Sequence, residues 1–346
     1  MKNLFCRSLL LCSVIFFYSK KISAQDIHFS QFFEAPLLRN PALAGIFSGD
    51  FRVQAVYRNQ WNSVTVPYQT TSLNGEYKLA VGNSQDFLTI GGEILYDKAG
   101  TVALTATNIM PVLNYHKSLS SDKNMYLSAG FSAGIVQRKI DRSKVTTNSQ
   151  FDGEAYNSGL SDGENFSNNG YMYFDGSAGL SFNSQLGENE DNNIFFGVAY
   201  HHFNKSAKVS FYNDATVVVA PKVVVSAGLK MSVTDYSYLT FHADYAKQGS
   251  STEIIGGALY SLKLDDDPAE AQHVISGGMF IRWNDAFIPV VKMDIRPLAF
   301  ALSYDVNVSA LKTASQGRGG FELSLSYQKY LDRDNSSREA VRCPRF

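Results

Sequence analysis

The residues best able to do chemistry in this chain are its histidines and the carboxylates beside them. His201 and His202 are adjacent. On an extended strand, neighbours point to opposite faces, so the two cannot close on one metal ion and read as a packed or hydrogen-bonded pair. His242 and Asp244 are two apart and share a face, an arrangement a membrane hydrolase could use with a serine such as Ser226 or Ser132 nearby. Polar neighbours on a wall that lines a lumen normally form structural networks, however, and no catalytic residue is assigned. Asp265-Asp266-Asp267-Pro268 gathers three carboxylates but lacks the glycine and glutamate spacing of a calcium loop, so it reads as a solvated turn. There is no phosphate-binding glycine loop and no cysteine cluster. The expectation is a protein with no catalytic residues, no metal site and no cofactor, and not an enzyme.

The elements that must position these side chains are strands. From Phe51 onward the sequence alternates with period two. Phe51, Val53, Ala55 and Tyr57 oppose Arg52, Gln54, Arg58 and Gln60, and near the end Phe321, Leu323, Leu325 and Tyr327 oppose Glu322, Ser324, Ser326 and Gln328. A soluble sandwich alternates too. Here the runs reach about ten residues, against five or six for an average strand, and aromatic residues gather at their ends, as at Tyr57/Trp61, Tyr96, Phe203, Trp283 and Tyr327/Tyr330. This predicts an all-β fold: a transmembrane antiparallel β-barrel of about fourteen strands in a bacterial outer membrane, with lipid as its outer partner. Lysine and arginine number 31 against 32 aspartates and glutamates, so charge points to no nucleic acid.

Four segments follow. Residues 1–24 read as a signal peptide: Lys2 and Arg7 precede an apolar run, Leu9 to Tyr18, far shorter than the ~20 residues of a spanning helix, and Ala24 is the cleavage residue. Its removal takes Cys6 and Cys12 and leaves Cys343 alone. Residues 25–50 hold neither helix nor strand period and contain Pro36 and Pro41. They are expected to plug a lumen that fourteen strands leave too wide for wall side chains to fill. In that plug His28, Phe29, Gln31, Arg39, Asn40 and Pro41 should meet a lumenal network of Arg58, Gln60 and Glu76, since a buried unpaired charge is costly. Residues 51–330 form the barrel, and 331–346 a charged periplasmic tail. An even strand number puts both barrel ends in the periplasm, so the polar stretch from Lys139 to Gly170 is external, with Phe151, Tyr156 and Phe166 as candidate partner contacts.

Several stretches resemble the PorP/SprF family of type IX secretion and gliding proteins. They are His28-Phe29-Ser30-Gln31-Phe32, Asn40-Pro41-Ala42 with Ala44-Gly45, Tyr57-Arg58-Asn59-Gln60-Trp61, Asp97-Lys98-Ala99-Gly100, Gly134 to Arg138 and His201-His202-Phe203-Asn204. The resemblance departs at Ser206, where the family pattern implies a proline. It implies a fatty-acid-transporter-like barrel that supports secretion without enzymatic activity. The partners implied are periplasmic ring or peptidoglycan-associated components of the type IX machinery, and secreted cargo or an adhesin. An alternative is an outer-membrane transporter of small hydrophobic molecules. Arg318 to Leu325, through Gly320, Phe321, Leu323 and Leu325, resembles the assembly signal of a final barrel strand.

Overall fold

The computed structural model describes residues 26–61, 66–82, 85–120, 122–189, 191–206, 209–212, 214, 216–309 and 312–331. The expected signal peptide, all three cysteines and the tail beyond Leu331 lie outside them. Among the described residues are fourteen strands: β1 Phe51–Gln60, β2 Tyr68–Ala80, β3 Phe87–Ala99, β4 Leu104–Ser120, β5 Met125–Lys139, β6 Gly170–Gln185, β7 Asn193–His201, β8 Lys222–Thr234, β9 Ser237–Gln248, β10 Ser251–Lys263, β11 His273–Arg282, β12 Ala286–Ile295, β13 Leu298–Asn307 and β14 Arg318–Lys329. Each pairs antiparallel with its sequence neighbours, and β1 pairs with β14, which closes the barrel. Closure satisfies the two strand edges that lipid would leave without partners.

The alternation expected from sequence holds around the wall. Along β1, Arg52, Gln54 and Arg58 are buried inside, and along β14 Phe321, Leu323 and Leu325 are exposed on the outer face. Two strands carry a proline in their interior. The β4–β5 pairing is interrupted at Pro111 and the β12–β13 pairing at Pro289, where no N–H exists to donate. Both strands keep their register with the neighbour on the other side.

The long connections, 140–169 between β5 and β6 and 202–221 between β7 and β8, share one rim; both ends of the barrel strands, Phe51 and Lys329, lie at the other. Long loops face the cell exterior in outer-membrane barrels and short turns the periplasm, which orients the molecule. Tyr96 and Trp283 are exposed toward the outer rim and Tyr330 at the inner one, as interfacial girdles require.

The wall is not polar throughout on its inner face. Val56, Leu95, Val112, Phe195, Phe280, Ile288 and Val290 also point inward and are buried. Their partners come from residues 26–50, which run through the lumen as three short helical turns, Phe32–Glu34, Pro36–Arg39 and Pro41–Leu43. Phe32 packs with Ile255, Leu259, Phe280, Ile288 and Val290, while Phe29 and Ala35 pack with Val56 and Leu95.

Leu323 supplies a test of the lipid-facing assignment. An arginine on that face costs about 2–4 kcal/mol at the bilayer midplane. Leu323→Arg should therefore yield less heat-modifiable folded barrel than Leu323→Ile, and equal yields would refute the assignment.

Candidate functional site

Charged groups inside the barrel meet residues 26–50 at three depths. In the outer half, β1 and β14 set Arg58 directly opposite Glu322. The guanidinium lies 3.2 Å from Glu322 and 3.0 Å from Asp305, and donates to the His28 carbonyl at 2.5 Å. The Glu322 carboxylate also accepts the backbone N–H groups of Ser30 and Gln31 at 2.6 and 2.7 Å. The Gln31 side chain continues to Ser303 and the Glu322 carbonyl. Arg282 adds 2.8 and 3.3 Å contacts to Asp285 and Asp305 and donates to the Ser30 hydroxyl. The Gln60 side-chain amide lies against Arg58, and with its oxygen turned toward the guanidinium it would accept from Nε at 3.0 Å. His28 Nδ1 lies 3.3 Å from Glu253.

At mid-depth Arg39 forms a two-point pair with Asp244, at 2.7 and 2.5 Å, and stacks over Phe32 and Phe195. Glu34 accepts from Lys292 at 2.6 Å and Gln54 at 2.5 Å. Near the periplasmic rim Glu76 pairs with Arg52 at 2.6 Å and accepts the Gly45 N–H at 2.7 Å. Phe47 lies between Arg52 and Lys78, 4.5 and 4.3 Å from its ring centre. Gly45 has φ +84, and a Cβ there would collide with Thr89.

The expected single network of Arg58, Gln60 and Glu76 is thus two networks. Antiparallel register aligns Arg58 with Thr70 and Arg52 with Glu76, so Glu76 belongs to Arg52, and the partner of Arg58 comes from across the closure seam. Asn40 caps the turn that follows it by accepting from the Ala42 N–H at 2.8 Å, and donates to the Leu180 carbonyl at 3.1 Å. Pro41 and Ala42 lie against Gly130 of β5, and Asn40 against Gly179 of β6; a Cβ at either glycine would strike them. The carbonyls of Ala42 and Ala44 take N–H donors from Asn114 at 2.9 and 2.8 Å.

The two adjacent histidines do not diverge as expected. β7 ends at His201, and His202 takes φ 57, which turns its ring back beside its neighbour, 6.3 Å between centres. They still share no ligand. His201 bonds to the Ser177 hydroxyl and the Arg39 carbonyl, while His202 sits between Asp175 at 2.8 Å and Asp26 at 2.7 Å. Among the described residues no group of side chains is arranged to hold a metal ion. Asp244 is committed to Arg39, and His242 stacks on Phe33 at 5.5 Å. Ser132 falls in a G-x-S-x-G run, Gly130 to Gly134. The run lies inside β5 rather than on the strand-to-helix turn that makes such a serine a nucleophile.

A family model for the type IX secretion system membrane protein PorP/SprF matches residues 22–327. The chain belongs to the PorP/SprF family. No curated protein matches it in sequence. Among solved structures, the TodX monoaromatic hydrocarbon channel deltaS2 mutant is 9% identical, covers 86% of this chain and 94% of its own, and has a TM-score of 0.50. A Pseudomonas aeruginosa FadL homologue is 9% identical, covers 85% and 94%, and also scores 0.50. At that identity the likeness shows the fold alone. As a PorP/SprF barrel, the protein is an outer-membrane component of type IX secretion.

Two external loops of this PorP/SprF protein pack on each other. Phe166 stacks on Tyr212 at 5.0 Å, with the Arg142 guanidinium 4.4 Å from its ring centre, and the Phe211 carbonyl accepts backbone N–H bonds from Ser167 and Asn168. Phe166 is therefore spent within the loops. Phe151 and Tyr156 form a small bridge and are 56% and 55% exposed. The Ser206 hydroxyl and the Asn204 amide both donate to the Phe174 carbonyl, which ties the loop after β7 to β6.

Arg58→Ala leaves Glu322 and Asp305 without their shared cation, and breaking a buried pair costs about 3–5 kcal/mol. The purified variant should melt lower and admit ions in planar bilayers. A variant with the parent's melting point and conductance would show that Arg58 does not hold residues 26–50.

His202 gives a pH test. Burial works against its charge, but hydrogen bonds to Asp175 and Asp26 outweigh that and raise the imidazole from 6.5 to about 9. A raised pKa contributes stability that is complete below about 6.5 and lost as pH rises through about 9. The parent should melt above His202→Gln at pH 6 and converge with it beyond pH 9; a gap independent of pH would refute the charge.

Proposed function

We propose that the protein supports type IX export or surface attachment of cargo such as adhesins by docking to its partners, with residues 25–50 acting as a plug and without enzymatic activity. The observation that carries this reading is that residues 26–50 are packed and hydrogen-bonded to the inner wall at three depths. The cavity under the external mouth, between Leu37, Leu95, Val136, Arg138 and His202, holds about 70 Å³. That is room for a few waters and none for a polypeptide. Cargo then meets the outer surface, where Phe151 and Tyr156 are exposed, while the tail 331–346 meets periplasmic ring or peptidoglycan-associated components. Gly320, Phe321, Leu323 and Leu325 serve as the signal for insertion.

Deleting the gene and taking a census of secreted and surface proteins tests the reading. Loss of one adhesin is expected for a dedicated component, and broad loss for a general one. A chain ending at Tyr330 should insert normally but secrete poorly. Unchanged secretion in the deletion, with flux of small hydrophobic molecules through the purified barrel, would overturn the proposal in favour of a transporter.

A further inference from the structure

Residues 26–50 begin at the outer rim and end at the inner one, although Leu38 and the Arg39 carbonyl come back up to Ile27 and His201 on the way. Asp26 is held by the outer ends of the strands and by the residues just past them: its N–H donates to Gln248 Oε1 at 2.8 Å, its carboxylate accepts from Gln248 at 3.0 Å and His202 at 2.7 Å, and Lys222 lies 3.7 Å away. Gln248 ends β9, Lys222 begins β8, and His202 follows β7, all on the rim that carries the long loops. Next in sequence, His28 and Ser30 meet Arg58, Glu253 and Arg282, which lie toward the outer ends of β1, β10 and β11. Glu34 and Arg39 meet the mid-strand residues Lys292 and Asp244. Gly45 and Phe47 meet Glu76 and Lys78 near the inner end of β2, and Asp50 bonds to the Lys329 carbonyl at the inner rim.

We infer that residues 26–50 make an additional crossing of the membrane, inside the barrel and from the outside inward, so that Asp26 stands at the external mouth, open to the cell surface. The inference goes beyond the proposed function and does not depend on it. An even-stranded barrel alone places both chain ends in the periplasm. Here the wall obeys that rule, and the lumenal segment carries the chain back to the outer rim at Asp26.

A built clasp supports the crossing. Three side chains, from β8, β9 and the residue after β7, converge on Asp26, whose two oxygens and N–H are all used, while the apolar side chain of Ile27 packs against the Phe29, Ala35, Val56 and Leu95 cluster beneath it. This anchors one defined residue at the mouth with both polar and apolar contacts.

The test inserts Gly-Ser-Cys-Ser-Gly between Gln25 and Asp26 in a Cys343→Ser background and treats intact cells with a membrane-impermeant maleimide. Ser158→Cys in the external loop and Asp266→Cys in the β10–β11 turn are the controls. Labelling in intact cells to within about twofold of Ser158→Cys is expected. Labelling only after the outer membrane is permeabilised, as for Asp266→Cys, would overturn the inference. Heat-modifiability reports whether the insertion variant folds. If it does not, Asp26→Cys with Gln248→Cys decides: a short bis-maleimide cross-link between them in intact cells supports the crossing, and no cross-link refutes it.

Discussion

The carboxylate of Glu322 is the point on which the interior depends. It stands on the last strand, opposite Arg58 of the first, so it couples the two strands whose pairing closes the barrel. The same two oxygens accept the N–H groups of Ser30 and Gln31, which ties residues 26–50 to the seam. Fourteen strands enclose a lumen that wall side chains alone cannot fill. Charges facing such a lumen are either hydrated or paired, and here Arg52, Arg58, Glu76 and Glu322 are almost wholly buried. Desolvation on that scale is tolerated only where every charge has an opposite partner and further hydrogen bonds. Backbone N–H groups from the lumenal segment supply those further bonds.

Much of the wall was legible in sequence because lipid and lumen impose opposite demands on alternate residues. Phe321, Leu323 and Leu325 against Glu322 and Ser324 leave no doubt about which face is which. The pattern blurs where both faces are apolar, as in Phe287-Ile288-Pro289-Val290-Val291. Ile288 and Val290 face inward there because Phe32 covers them. A tertiary partner has overridden the local rule. Register was the second thing sequence withheld. That Arg58 and Glu76 sit on neighbouring strands was visible, but a ladder displaced by six residues assigns Glu76 to Arg52, and only closure brings Glu322 to Arg58.

The adjacent histidines show how a strand end changes chemistry. Alternation separates neighbours only while the backbone stays extended. One residue in the left-handed region, His202, cancels it and lets both rings face the outer mouth, where each is consumed by a different set of partners. The glycines against which Asn40-Pro41-Ala42 rests were equally silent. In sequence Gly130 and Gly179 look like ordinary small residues on a polar face; in space each is where a backbone or amide from residues 26–50 comes too close for a Cβ. The signal that would reveal them is a pair of inward-facing glycines on adjacent strands, and they do lie opposite each other in the β5–β6 ladder.

The lumenal segment and the wall cannot be treated as a scaffold and an insert. Its helical turns span three, four and three residues, far below the length at which a helix persists by itself in water. Their shape therefore comes from the wall: Asn114 fixes the Ala42 and Ala44 carbonyls, Glu322 fixes Ser30 and Gln31, and Glu76 fixes Gly45. The dependence also runs the other way, since Asp244 and Lys292 take their closest opposite charges, Arg39 and Glu34, from that segment. Apolar side chains at Ile288, Val290 and Leu95 would face solvent if the segment left. Removing it would thus expose apolar surface and leave strand charges without their partners on three levels at once.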